Sequence, residues 1–114
     1  MTGFDRDETY RRFAGLVNMD ADELEAWLES EESRAVGWTR PGETESVGRQ
    51  SGRAIARILR TPREELEEAD YCQMHKTIGF IRRHRAQEPA NIVTSRWRYS
   101  LMNWGHDPLK EDES

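Results

Sequence analysis

The amino-acid sequence predicts an all-α fold: a compact single domain of about five helices with a flexible acidic C-terminal tail. Apolar residues recur at helical spacing in several segments, as in Trp97, Leu101 and Trp104. No segment alternates polar and apolar residues for long enough to predict a sheet. Because 114 residues suit one core, we expect a single domain at 1–108 and a disordered acidic tail at 109–114.

The first predicted helix runs from about Asp5 to Val17, since acidic residues open it and apolar residues follow at helical spacing. The second begins after Asp20, which can form a capping box with Glu23. This second helix is acidic on its outer side and carries Trp27 on its apolar side.

A loop is predicted at 36–44, because two glycines and a proline interrupt regular structure there. The loop contains Trp38, which we expect to fold back onto the core, as large aromatic residues commonly do.

The third predicted helix spans about Ser46 to Arg60 and contains Gly48 and Gly52, four residues apart. Each glycine lowers helix propensity by about 1 kcal/mol relative to alanine, so we expect another helix to pack closely against them. A turn is predicted near Thr61.

The fourth predicted helix spans about Glu68 to Arg85. The fifth opens at Asn91 or Thr94, reaches Trp104 and is capped by Gly105. We expect the third and fifth helices to be central in the domain.

The closing stretch from Trp97 to Pro108, WRYSLMNWGHDP, resembles the hallmark ending of a family of small stand-alone proteins of unknown function from bacteria, archaea and fungi. Other stretches that resemble the family are ELEAWL at 23–28, ESVG at 45–48 with SGR at 51–53, and DY at 70–71 with Met74 and RH at 83–84. The resemblance covers about residues 10–110. Some members are described as DNA-binding, so it implies DNA as a partner.

Charge is distributed unevenly along the chain. Residues 1–46 carry a net charge of −7, residues 47–100 of +5 and residues 101–114 of −3. An acidic protein can therefore present a basic face, which indicates a polyanionic partner. In the alternative, the acidic first third packs near the basic middle and neutralises it. The sequence leaves both open.

Four arginines of the third helix lie within about 80° of one another at 100° per residue. Arginine's planar fork suits phosphate. Further cations can widen this stripe if the last two helices lie beside it: Lys76, Arg82, Arg83, Arg85, Arg96 and Arg98. The candidate nucleic-acid-binding residues are Arg49, Arg53, Arg57, Arg60, Arg82 and Arg83. The alternative is a solvated face whose arginines pair with Glu64, Glu65 or the acidic second helix.

These features predict a non-catalytic DNA-binding protein, nucleoid-associated or regulatory, that contacts phosphates through the third helix. The alternative is a protein-interaction adaptor whose partner docks on the acidic second helix and the Trp38 loop. Tyr99 and Asn103 lie away from the apolar stripe of the fifth helix and are further candidates for a partner surface.

Nothing in the sequence predicts catalysis, a metal site, a cofactor or a small-molecule substrate. Gly48 and Gly52 lack the lysine of a phosphate-binding loop, and zinc requires more ligands than one cysteine and three histidines provide at this spacing. The single Cys72 excludes an internal disulfide, and we expect it to be buried. No apolar run is long enough for a membrane span, so we expect a cytoplasmic protein.

Overall fold

The structure, a computed structural model, describes residues 5–112. Residues 1–4 of the predicted domain and residues 113 and 114 of the predicted tail lie outside the described part. Within it the chain forms α1 (Arg6–Leu16), α2 (Ala21–Leu28), α3 (Glu31–Arg34), α4 (Val47–Arg60), α5 (Glu68–Arg85) and α6 (Arg96–Asn103). Two 3-10 helices span Arg63–Glu65 and Pro108–Asp112, and residues 5–112 contain no strand. The all-α prediction is confirmed.

The short helix α3 is the main addition to the predicted set. Ser30 caps the N-terminus of α3, and its hydroxyl accepts a hydrogen bond from the backbone N–H of Ser33 at 3.1 Å. Glu31 and Glu32 occupy its first turn, where acidic side chains are favoured by the helix dipole. The described residues of the predicted tail lie in the last 3-10 helix, and Lys110 donates there to the carbonyl of Asn18 at 3.2 Å.

Helix α4 lies at the centre of the domain. It packs against α2, α5 and α6, and α1 packs against α5 on the far side. The large fully buried apolar side chains come from five helices: Phe13, Leu24, Leu28, Ile55, Met74, Ile81 and Leu101. Helix α6 also contacts α2, α3 and α5. The predicted third and fifth helices are α4 and α6, and the prediction that they are central is confirmed.

The paired glycines of α4 allow this close packing. A Cβ atom on Gly52 would lie 2.4 Å from the carbonyl oxygen of Asn103 and 2.9 Å from Leu28. A Cβ on Gly48 would lie 3.1 Å from the indole nitrogen of Trp104. The expected close approach of another helix is therefore confirmed, and that helix is α6.

The segment 105–107, named the C-terminal clasp from here on, ties α6 to the junction between α1 and α2. Gly105 has a left-handed φ of +82°, and its carbonyl accepts hydrogen bonds from the N–H groups of Asn18 and Met19. Asp107 exchanges two hydrogen bonds with Asn18, of 2.7 and 3.0 Å, and accepts two from the guanidinium of Arg98. Every residue of the clasp is buried.

The expectation that Cys72 is buried is wrong, because its side chain is exposed. Tyr71, one position earlier on α5, is the residue that enters the core. Adjacent helical residues point 100° apart, so both cannot face the same side.

Candidate nucleic-acid interface

The first arginine of the predicted stripe, Arg49, is buried inside the fold. Arg49 is only 7% exposed, and its guanidinium donates to the carbonyl of Leu28 at 2.6 Å and to the carboxylate of Glu45 at 2.7 Å. A third hydrogen bond reaches the hydroxyl of Ser33 at 3.3 Å. This side chain joins α4 to α2 and α3, and it does not lie at a surface that a ligand can reach.

The other three arginines of α4 are exposed but paired with carboxylates. Arg53 contacts Glu45 at 2.8 Å, and Arg57 contacts the buried carboxylate of Asp70 at 2.5 Å. Arg60 contacts two acidic residues of α2, Asp22 at 2.6 Å and Glu25 at 2.7 Å. Pairing of the arginines with the acidic second helix, the alternative left open by the sequence, therefore occurs at Arg60, while neither Glu64 nor Glu65 is among these partners.

These ion pairs lower the pKa values of two of the carboxylates, those of Asp70 and Glu25. The backbone N–H of Glu67 lowers the pKa of Asp70, and the hydrogen bond from Arg57 lowers it further against the opposing effect of burial. The hydrogen bond from Arg60 lowers the pKa of Glu25. Each carboxylate is thus held ionised beside its arginine.

The outer face of α5 is different, because its cations have no carboxylate partner within the described residues. Lys76 and Arg83 are both exposed, and at 100° per residue they lie about 20° apart on one side of the helix. Arg82 points toward α1, where it lines a shallow depression with Arg12 and His75. The structure therefore separates the two predicted residues of α5, Arg82 and Arg83, onto different sides.

An aromatic pocket lies beside this outer face, and it is the feature that sequence reasoning missed. It is an open cavity of about 400 Å³ between α4, α5, α6 and the loop after α3. Its lining residues are Gly37, Trp38, Arg40, Val47, Gly48, Phe80, His84, Ser100, Asn103 and Trp104. We name it the aromatic pocket from here on.

The rings of the pocket are nearly parallel. Phe80 stacks on Trp104 with centroids 4.4 Å apart and on His84 with centroids 4.9 Å apart. Phe80 and His84 stand four residues apart on α5, which is the spacing that places side chains next to each other on a helix. The spacing of Phe80 and His84 was therefore visible in the sequence, but only the tertiary structure places Trp104 beside Phe80.

The prediction that Trp38 folds onto the core is wrong. Its side chain is 65% exposed at the mouth of the aromatic pocket. Its backbone is held by a hydrogen bond from the N–H of Val47 to the Trp38 carbonyl at 2.8 Å, and Gly37 has a left-handed φ of +97°. The loop is thus anchored through its backbone, which leaves the indole ring at the surface.

The wall of the aromatic pocket formed by His84 is uncharged at neutral pH. Burial lowers the pKa of His84, and a hydrogen bond between the imidazole and the backbone of Trp97 opposes this only in part. Its Nε2 atom is buried and has no hydrogen-bond partner among the described residues.

A polar groove of about 370 Å³ continues from the aromatic pocket along α4 and α5. Arg40, Val47 and Trp104 line both cavities. The groove adds Gln50, Ser51, Gln73 and Lys76. Aromatic and cationic side chains therefore meet along one continuous depression.

Asn103, predicted as part of a partner surface, is buried and structural. Its amide oxygen accepts hydrogen bonds from the indole N–H of Trp27 at 2.8 Å and from the hydroxyl of Ser33 at 2.5 Å. Tyr99 packs against Trp27 with ring centroids 5.4 Å apart. Asn103 thus connects α6 to α2 and α3, and Tyr99 connects α6 to α2.

None of the helices in the described part of the chain is both long and apolar enough to cross a membrane. No group of three or more histidine, cysteine, aspartate or glutamate side chains is arranged there to hold a metal ion.

Residues 12–102 match the family described as "Protein of unknown function (DUF3140)". No curated protein and no solved structure matches the chain. The match extends over most of the sequence and includes α2, α4 and α5 entirely. The chain therefore belongs to the DUF3140 family.

Proposed function

We propose that this protein is a non-catalytic DNA-binding protein whose phosphate-contacting surface is the outer face of α5, centred on Lys76 and Arg83. The observation that carries the proposal is the contrast in pairing: each arginine of α4 has a carboxylate partner, whereas these two exposed cations have none among the described residues. A cation without an internal partner is free to exchange water and counterions for a phosphate.

Local charge supports the proposal. Residues 76–100 contain six basic residues and one acidic residue, a net charge of +5 in a chain of net charge −5. Arg96 adds an exposed guanidinium near the Trp38 loop, where it donates to the carbonyl of Ala35 at 2.9 Å. The resemblance to a family in which some members are described as DNA-binding agrees with this surface.

Phosphate contacts carry no sequence information by themselves, so the expected binding is salt-dependent and largely independent of sequence. The test is fluorescence anisotropy of a labelled 20-base-pair duplex across a salt series. We expect the double variant Lys76→Gln with Arg83→Gln to weaken binding and to reduce the slope of log K against log salt by about 1 for each lost contact.

The matched control is Arg53→Gln with Arg60→Gln, which also removes two exposed positive charges but takes them from carboxylate pairs on α4. We expect this control to bind the duplex with nearly the wild-type slope. Equal losses in both double variants would mean that net charge alone governs binding. Absence of duplex binding by the wild-type protein at low salt would refute the proposal.

A protein-interaction adaptor is the second candidate, and the exposed ring of Trp38 over an apolar cavity favours it. Large exposed aromatic residues are enriched where proteins bind partners. The acidic helix α2 supports it less, because Glu23, Glu25 and Glu29 are each paired with a cation of this chain. The test is whether Trp38→Ala abolishes co-purification of a partner that the Lys76 and Arg83 double variant retains.

A further inference from the structure

We propose that the aromatic pocket binds an unstacked base of a single nucleic-acid strand, whose phosphates are held by the cations of the adjoining groove and of α5. This inference rests on the proposed function and extends it from phosphate contacts to a base site. The feature that carries it is the continuity of the aromatic pocket with a groove lined by Arg40 and Lys76.

The aromatic pocket has the composition of a base-binding site. Trp38, Phe80 and Trp104 line one cavity. The exposed ring of Trp38 is the one open to stacking on a base, because Phe80 is already stacked on Trp104 and His84, which form the wall behind it. Aromatic rings bind single-stranded nucleic acids by stacking, and they accept any base because each base has a π-face. A cavity of about 400 Å³ lies within the range of small-ligand sites, so it can admit one planar base.

Charge around the aromatic pocket selects an anionic occupant. Arg40 lines both cavities and is only loosely paired, with 3.6 Å between its guanidinium and the carboxylate of Glu43. Lys76 lines the groove next to the aromatic wall. Among the described residues, no carboxylate side chain lines either cavity. A ligand with a planar ring and a negatively charged group close to that ring complements the aromatic wall and the adjacent cations.

The positions of the cations on α5 favour a strand over a free nucleotide. Lys76, Phe80 and Arg83 stand at i, i+4 and i+7 along one side of the helix. At 1.5 Å per residue the two cations are about 10 Å apart along the helix axis. Two positive charges at that separation can contact two phosphates, whereas a mononucleotide supplies only one.

The test uses the indole N–H resonances of the four tryptophans in uniformly ¹⁵N-labelled protein, titrated with a ten-residue oligo(dT). We expect the resonance of Trp38 to shift most, that of Trp104 to shift as well and that of Trp27 to shift least. Trp27 is the internal reference, because its ring lies outside the aromatic pocket and is connected to it only through the hydrogen bond from its N–H to Asn103 at 2.8 Å. Thymidine monophosphate at the same nucleotide concentration should cause much smaller shifts.

Affinity gives a second readout. Trp38→Ala should weaken oligo(dT) binding by about tenfold, and duplex binding by less than twofold, because only the single strand offers a free base to stack. The matched control is Val93→Ala, a large exposed apolar side chain outside the aromatic pocket, which should change neither. Since both side chains are exposed, both variants should remain folded.

Four outcomes would overturn the inference or separate it from the proposed function. Oligo(dT) binding that leaves Trp38 and Trp104 unshifted would overturn the base site, and the duplex result would still stand or fall by itself. Shifts caused only by a five-residue acidic peptide with a central tryptophan would overturn it in favour of a protein partner. Equal shifts with thymidine monophosphate would overturn the preference for a strand. Shifts with oligo(dT) in a protein that does not bind the duplex would support the base site and refute the proposed duplex surface.

Discussion

Helices α4 and α5 both carry cationic side chains along one face, at one-turn spacing on α4 and two turns apart on α5, but the fold uses the two sets differently. On α4 the guanidinium groups of Arg49, Arg53 and Arg60 bind carboxylates of α2 and of the segment before α4. On the outer side of α5, Lys76 and Arg83 face solvent and contact no carboxylate within the described residues.

The difference follows from position in the fold. The central helix α4 has neighbours on several sides, so acidic residues of other elements reach its cations. Of the helices that the structure describes, α1, α4 and α6 pack against α5 and none covers its outer side. The only acidic residue in the 25 residues from Lys76 to Ser100 is Glu88. The number of arginines on a helix therefore says less about binding than the position of the acidic residues.

The largest expected effect comes from making the same change, glycine to alanine, separately in each helix and comparing the two variants. Gly52→Ala on α4 should lower the free energy of unfolding by about 3 kcal/mol or more, because the new Cβ would lie 2.4 Å from the backbone oxygen of Asn103. Gly79→Ala on α5 meets only the guanidinium end of Arg83, at 3.0 Å, which can move aside. That variant should be as stable as the wild type or more stable by up to about 1 kcal/mol.

Urea denaturation of the two alanine variants measures this difference. A Gly52→Ala protein as stable as Gly79→Ala would show that α4 and α6 are not packed as closely as described. The comparison between a buried central helix and an open outer one would then lose its basis.

A smaller effect separates the structural arginine from the proposed binding one. Arg49→Met keeps much of the side-chain volume but removes the donor to the Leu28 carbonyl, so it should destabilise the fold by about 2 kcal/mol. Arg83→Met should change stability by less than about 0.5 kcal/mol, as is usual for a surface substitution, and should weaken duplex binding. Denaturation and anisotropy on the same two proteins give both results, and the opposite assignment of effects would contradict the comparison.

The smallest effect concerns pH. Because burial lowers the pKa of His84 in the folded state, the unfolded chain binds the proton more readily, so stability should fall as pH decreases from about 6.5 toward the lowered pKa. His84→Phe can preserve the stacking with Phe80 and removes this titration. Thermal unfolding between pH 7.5 and pH 5 should show a steeper loss in the wild type than in this variant, and identical slopes would show that His84 does not contribute.

Local patterns were sufficient to predict five of the six α-helices in the described residues, because periodicity, caps and paired glycines are properties of neighbouring residues. Asp20 forms the predicted capping box with Glu23, and Gly105 ends α6 in the left-handed conformation as expected. The short helix α3 was missed although Ser30 before two glutamates is a recognisable start.

The site could not be predicted in the same way, because it depends on contacts between distant residues. Nothing near Arg57 in the sequence indicates that Asp70 is its partner, and nothing near Phe80 indicates that Trp104 stacks on it. Trp38 lies in a loop, where no periodicity distinguishes a buried ring from an exposed one. Whether a side chain of this protein is available for binding therefore depends on its tertiary contacts.

The C-terminal clasp has a consequence for the order of folding. Asn18 and Asp107 are 89 residues apart in sequence, yet their two hydrogen bonds close the junction between the first two helices. During synthesis, α1 and α2 leave the ribosome long before their partner residues do. The N-terminal helices must therefore wait for the chain to reach residue 107 before this joint can form, and contacts of such long range slow folding.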